Sequence, residues 1–320
     1  MISRLLIVVP LALSCLLVSA CGDGMHERSP GTIADPWIIG VSQNTVADPW
    51  HAQMKHEIET AAAEHDNLQV LFKDAEGKNS AQQAQIEDLL NEGIDLLIVC
   101  PRETGPLDKV VREVFRQGIP VVVLDRAVSV SDYSVYISAN NLRIGKAAGE
   151  WARTQLLGKG TIVMLKGPMT SSIAQDRHRG FLQGLELDRN PGLTVGYECE
   201  TDWTAASASK EMNLALVKLN DVDLVFAHSD LGAYAAFEAA RDQDRHLGVK
   251  FVGIGALEDE GIEYVKEGVL DATFLYATGG PEAVDVAIRL LKNETVDKVI
   301  TLATRAYDGE SVDLGGSEVK

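Results

Sequence analysis

Positive charge is scarce in this chain. Its 29 Lys and Arg stand against 47 Asp and Glu, a net charge of −18 with histidines neutral. Phosphate backbones are held by clustered cations, so the deficit excludes a nucleic-acid partner. Cysteine is scarce too, with 4 in 320 residues, and none has the spacing of a structural metal site. His51 and His56 are five positions apart, about 140° around a helix, so they do not share a face for an ion. Also missing are a G-x-S-x-G elbow, a P-loop, an H-E-x-x-H helix and a three-glycine dinucleotide turn. No metal, no cofactor and no enzymatic activity are expected. A glycosidase would need two carboxylates about 5–9 Å apart, and no motif supports Asp48 and Asp125 in that role.

Long apolar runs are missing as well, except at the start. Residues 1–20 carry one early cation, Arg4, then an apolar stretch from Leu5 to Val18 broken by Pro10 and Ser14. That pattern reads as an export signal rather than a spanning helix. Val18-Ser19-Ala20-Cys21 resembles a bacterial lipobox, which implies a lipidated Cys21 as the mature N-terminus. Residues 21–36 are polar and rich in Gly and Pro, as a flexible tether is. The protein is therefore expected to be exported and held by lipid at the outer face of the cytoplasmic membrane, on the periplasmic or extracellular side, touching the membrane only through that lipid. Cys100 and Cys199 fall in different halves of the chain and are expected to stay free.

What is present is a regular alternation. Apolar residues make up 46% of the chain and charged residues 24%, as in a folded globular protein. Continuous Val/Ile/Leu runs recur at WIIGVSQ, LQVLFKDA, IDLLIVCP and PVVVLDRA, each with a helical pattern after or between them. TIVMLKG, LTVGYECE, DLVFAHSD, VKFVGIG and LDATFLYA repeat the scheme. Such runs are parallel strands covered on both faces. The expected fold is α/β, with two doubly wound parallel-sheet lobes. Asn79 or Ser80 is expected to cap the helix before Gly93.

Ligands of open parallel sheets bind beyond the carboxyl ends of the strands. The residues there are Gln43, Asp48, Trp50 and His51, then Lys73, Arg102, Asp125 and Arg126. Later in the chain come Arg177, Trp203, His228, Ser229, Asp230 and Tyr276. Aromatic faces suit the C–H faces of a sugar ring, and Asp, Asn and Arg suit its hydroxyls. The set points to a small polyol.

Several stretches in this order, among them IIGVSQNTVADPW, GIPVVVLDRAV, SANNLRIGKAAGEW, QDRHRGF and FVGIGALED, resemble the periplasmic sugar-binding proteins of the ribose and galactofuranose type. The resemblance implies the type I periplasmic binding protein fold, with two lobes that close on ligand about a hinge of three crossings near 139–140, 276–277 and 305–308. It implies lobes over 37–139 plus 277–305 and over 140–276 plus 306–320. It also implies a monomeric receptor that captures a sugar or polyol and delivers it to an ABC permease. The alternative output is a sensor that presents the ligand to a membrane histidine kinase.

Family binding positions carried over singly fall on Asp48, Trp50, His51, Asp125, Arg126, Arg177, Trp203, Ser229, Asp230 and Tyr276. Gln43, Lys73, Arg102, Asn140 and Glu258 form a second group of candidates. His51, Ser229 and Tyr276 depart from the family pattern. Gly255 stands where the family places a carboxylate that clamps sugar hydroxyls, with Glu258 three residues on as a substitute.

Overall fold

The computed structural model describes residues 30–319. The expected export signal and lipidated Cys21 lie outside the described residues. Of the expected tether, 30–36 is irregular chain held to the body by Asn67, whose Nδ2 donates to the Gly31 carbonyl at 3.1 Å.

The first half runs β1 (Trp37–Gln43), α1 (Pro49–Ala63), β2 (Leu68–Asp74), α2 (Asn79–Asn91), β3 (Leu96–Cys100), α3 (Asp108–Arg116), β4 (Val121–Leu124) and β5 (Val135–Ala139). It continues with α4 (Asn141–Gln155), β6 (Lys159–Lys166), α5 (Ser172–Leu185), β7 (Gly192–Glu200), α6 (Ala205–Lys218) and β8 (Leu224–Ala227). Then come α7 (Asp230–Arg241), β9 (Lys250–Gly255), a π-helical turn (Glu258–Ile262) and α8 (Glu263–Lys266). Last are β10 (Ala272–Leu275), α9 (Gly280–Leu291), β11 (Val299–Leu302), β12 (Arg305–Asp308) and β13 (Ser317–Glu318).

These strands form two sheets. One is wholly parallel, in the order β11-β5-β4-β3-β1-β2. The other is ordered β13-β12-β10-β9-β8-β6-β7, with β12 antiparallel to both β10 and β13 at one edge. The two-lobed α/β architecture is the one the periodicity predicts. Every residue of β3 and of β4 is buried, because helices cover both faces of a parallel sheet. The chain passes between sheets three times: from β5 to α4, from β10 to α9, and from β11 to β12. Arg305 pairs with Glu318 in the second sheet, so the third passage lies at 303–304, ahead of the expected 305–308.

Local chemistry places some boundaries differently. α2 is preceded by Lys78 with no side-chain cap, so Asn79 and Ser80 sit inside its first turn. β5, β11 and β12 were not marked by the apolar runs: β5 alternates, and Val299 on edge strand β11 is exposed.

One packing feature bears directly on function. α4 and α5 cross with glycine against backbone: a Cβ on Gly145 would lie 2.3 Å from the Arg177 carbonyl oxygen, and one on Gly180 would lie 2.2 Å from that of Leu142. The turn of α5 that carries Arg177 is thereby pressed onto α4. Behind it Phe181 stacks on Phe226 at 3.9 Å between ring centroids.

Candidate functional site

The first lobe contributes the end of β1 and the start of α1. Asp48 caps α1: one carboxylate oxygen accepts the His51 N–H at 3.0 Å and the other engages His51 Nδ1 at 2.6 Å. Pro49 follows at the first helical position, where its missing N–H costs nothing. Burial pushes the Asp48 carboxyl up, but the His51 hydrogen bonds and charge, with Arg126, outweigh it and hold it below the usual range. Gln43, buried beneath this turn, donates from Nε2 to the carbonyls of Thr45 and His51 at 2.8 and 2.7 Å. Its Oε1 has no partner.

Asp125 and Arg126 follow β4 and are both buried. Asp125 has φ +70°, a left-handed backbone that is unfavourable for a residue with a Cβ and recurs at functional sites. Its carboxylate accepts the Tyr276 hydroxyl and faces Arg126 Nε at 3.7 Å. Arg126 also donates from Nη1 to the Arg102 carbonyl at 2.9 Å, while Nε lacks a hydrogen-bond partner.

The second lobe answers with Arg177. Its Nε donates to Asn141 Oδ1 at 2.9 Å and its Nη1 to the His228 carbonyl, leaving Nη2 unpaired in a residue 3% exposed. Its guanidinium lies over the Tyr276 ring at 4.3 Å and over Trp203 at 6.0 Å. Trp203 too is held at positive φ, +72°. Tyr276, on the second passage between sheets, joins the lobes. Its ring stacks on Trp50 at 4.8 Å, its carbonyl accepts the Trp50 indole N–H at 2.7 Å, and its hydroxyl reaches Asp125.

Asp48, Trp50, His51, Asp125, Arg126, Arg177, Trp203 and Tyr276 are thus brought together. Ser229 is the cap of α7, its Oγ accepting from the Gly232 N–H at 3.1 Å. Asp230 lies beneath the site: its two oxygens accept the Ala256 N–H and the Thr273 hydroxyl, each at 2.6 Å. Burial pushes its carboxyl up to about 6, against the lowering by those bonds and by Arg177. This carboxylate occupies the room a side chain at 255 would need, since a Cβ on Gly255 would fall 2.6 Å from Asp230 Oδ2. The acceptor missing at Gly255 therefore has a buried neighbour in its place.

Four candidates of the second group stand apart. Lys73 pairs with Glu92 at 2.8 Å, and the Arg102 side chain turns to the Gly77 carbonyl. Asn140 is an exposed cap of α4, accepting from the Arg143 N–H at 2.9 Å. Glu258 is exposed, whereas half-buried Glu260 is the carboxylate that feels Asp230 and Asp48. Burial and those two charges raise it.

Asn44, Cys100, Asn141 and Glu260 stand beside these groups as well, and each is within two positions of a residue that the sequence singles out. The nearest ligand atoms of His51, Cys100 and Asp125 lie within 4.8 Å of one another.

A family model described as periplasmic binding protein domain matches residues 39–295. The ribose import binding protein RbsB of Bacillus subtilis is 26% identical over 311 residues, 92% of this chain and 95% of that protein. The galactofuranose-binding protein YtfQ of Escherichia coli is 27% identical over 235 residues, 71% of this chain and 72% of that one. Among solved structures, the fructose-binding periplasmic domain of the hybrid two-component system BT1754 superposes with a TM-score of 0.83 at 33% identity, covering 87% of this chain and 93% of that one.

Proposed function

The chain belongs to the periplasmic binding protein family, and from that premise we propose that it is an exported receptor that captures a small sugar or polyol between its lobes and delivers it to an ABC permease. The observation that carries this reading is a pair of buried guanidinium donors from different lobes without a hydrogen-bond partner, Arg126 Nε and Arg177 Nη2, set among Trp50, Trp203 and Tyr276. Buried donors without partners are costly, and a ligand hydroxyl oxygen would satisfy them. A ligand that bridges both donors favours the closed arrangement of the lobes by its greater affinity for it. Asp48, His51 and Asp125 supply acceptors on the first lobe. Asp230 acts by holding the turn at Ala256, and Ser229 by starting α7.

In this reading Cys21 carries a lipid that keeps the receptor beside its permease, and the receptor works as a monomer without a catalytic step. Among the described residues no helix is long and apolar enough to cross a membrane. The lobes are taken as 37–139 plus 277–303 and 140–276 plus the remainder, since Arg305 pairs with Glu318 in the second sheet. A second output is favoured by one specific likeness: the 33% identical structure is the periplasmic part of a two-component system. The same closure would then be read by a membrane histidine kinase.

Thermal-shift screening against pentoses, hexoses, polyols and sugar acids tests the proposal. A ligand at a hundred times its Kd adds about 2.7 kcal/mol, which for a chain of this size is a rise of about 4–5 °C. No shift with any of these classes, together with a shift from another metabolite class, would overturn the sugar assignment.

A further inference from the structure

Three side chains able to bind a metal meet on the first lobe's side of the cleft, from segments far apart in sequence. His51 lies in the first turn of α1, Cys100 ends β3, and Asp125 follows β4. All three are buried, and one ligand atom from each falls within 4.8 Å of the others. The Cys100 thiol points at Asp125 Oδ2, which also faces Arg126 Nε at 3.7 Å. His51 Nδ1 sits 2.6 Å from Asp48 Oδ2, which places the proton on Nδ1 and leaves Nε2 as an acceptor. Asn44 Nδ2 stands 3.2 Å from that Nε2 and 3.5 Å from Cys100 Sγ, and Sγ lies 3.8 Å from Asp125 Oδ2. An amide nitrogen, which only donates, thus bridges imidazole and thiol where a cation would bridge them.

The order Asp48, His51, Cys100 is also that of a nucleophilic triad. Two observations speak against that chemistry. The Asn44 nitrogen stands between the imidazole and the thiol. The Asp125 carboxylate lies 3.8 Å from the sulfur, where it hinders a nucleophile and serves an ion.

We propose that His51 Nε2, Cys100 Sγ and Asp125 Oδ2 form a site for a divalent ion of the zinc type, with Asp48 orienting the imidazole. One imidazole, one thiolate and one carboxylate suit Zn²⁺ or Co²⁺ rather than Mg²⁺ or Ca²⁺. Three protein ligands leave a tetrahedral ion one position for water or for a hydroxyl of a bound ligand. Bond lengths of about 2.0–2.3 Å put tetrahedral ligand atoms roughly 3.3–3.7 Å apart. The Cys100–Asp125 pair at 3.8 Å nearly meets that spacing. The imidazole closes the remaining distance, of the order of an ångström, as the Asn44 side chain turns away. On binding, the Sγ–H bond breaks, its proton leaves to solvent, and sulfur bonds the ion.

Purified protein stripped with EDTA and free of sugar is titrated with Zn²⁺ in a calorimeter and with Co²⁺ in a spectrophotometer. The expected result is one equivalent bound and a near-ultraviolet cobalt–thiolate charge-transfer band. Cys100→Ser removes the band, and Asp48→Asn weakens binding at least tenfold. Cobalt bound without the band, no binding of either ion, or unchanged binding by Cys100→Ser overturns the proposal. If a variant does not fold, as judged by circular dichroism, the band of the parent protein decides alone. A sugar-induced thermal shift without a cobalt band would remove this site and leave the receptor reading standing.

Discussion

Replacing Asp230 by asparagine should change how the stability of this protein depends on pH. Asp230 is 4% exposed, and burial raises its carboxyl from the ordinary 3.8 to about 6 despite hydrogen bonds from Thr273 and Ala256 and the charge of Arg177. A carboxyl raised in the folded protein stabilises it fully below the ordinary value, and the benefit is lost as pH rises through the folded value. The window is therefore pH 4 to 6, with stability falling as pH rises. At about 1.4 kcal/mol per pH unit, the rise is worth about 3 kcal/mol. Unfolding entropy of about 2 cal/mol/K per residue converts this to about 5 °C in Tm for this chain.

Asparagine keeps the geometry. Its Oδ1 accepts the Ala256 N–H, and its Nδ2 donates to Thr273 Oγ1, where the aspartate accepted. Melting temperatures of parent and Asp230→Asn, taken every half pH unit from 4 to 7.5, give a difference curve from which other titrations cancel. That curve should climb by about 5 °C in favour of the asparagine variant as pH rises. Parallel melting curves would refute the argument, because they would mean that Asp230 has the same affinity for protons folded and unfolded.

Three further outcomes are expected. Arg177→Ala should weaken binding of any sugar found in the thermal-shift screen at least tenfold, because it deletes the second lobe's unpaired donor; an unchanged Kd with intact fold would count against the clamp. Gly149→Ala puts a Cβ 2.2 Å from the Phe181 carbonyl oxygen, so it should force α4 and α5 apart and cost about 1–3 kcal/mol, read as a lowered Tm; an unaltered Tm would show that the helices yield freely. Cys100, buried and with its thiol pushed up, should react with a thiol reagent at neutral pH only after unfolding, and prompt labelling of the native protein would contradict its burial.

Much of this architecture was legible from pattern, and the exceptions have identifiable causes. β3 and β4 announce themselves as unbroken apolar runs because both faces are covered, whereas β11 at a sheet edge exposes Val299 and carries no such mark. The sequence singles out Arg102 and Glu258, which are exposed, while their neighbours Cys100 and Glu260 are the ones that turn inward. Chain position says which turn a residue occupies, and side-chain direction depends on neighbours the chain reaches much later. Arg102 turns away because the Gly77 carbonyl takes its guanidinium. Glu260 turns inward from a π-helical turn that no local pattern marks.

The amino-acid sequence by itself determined the alternation of buried parallel strands with amphipathic helices, and with it two lobes whose strand ends face a cleft. These properties follow from periodicity and burial, which act over a few residues at a time. Only the tertiary structure decided which groups meet there. Tyr276 reaches Asp125 across 151 positions and Trp50 across 226, and the glycines of α4 and α5 set the depth at which Arg177 enters. Such contacts depend on the passages between sheets and on close packing, which fix distances to within an ångström that no one-dimensional pattern contains.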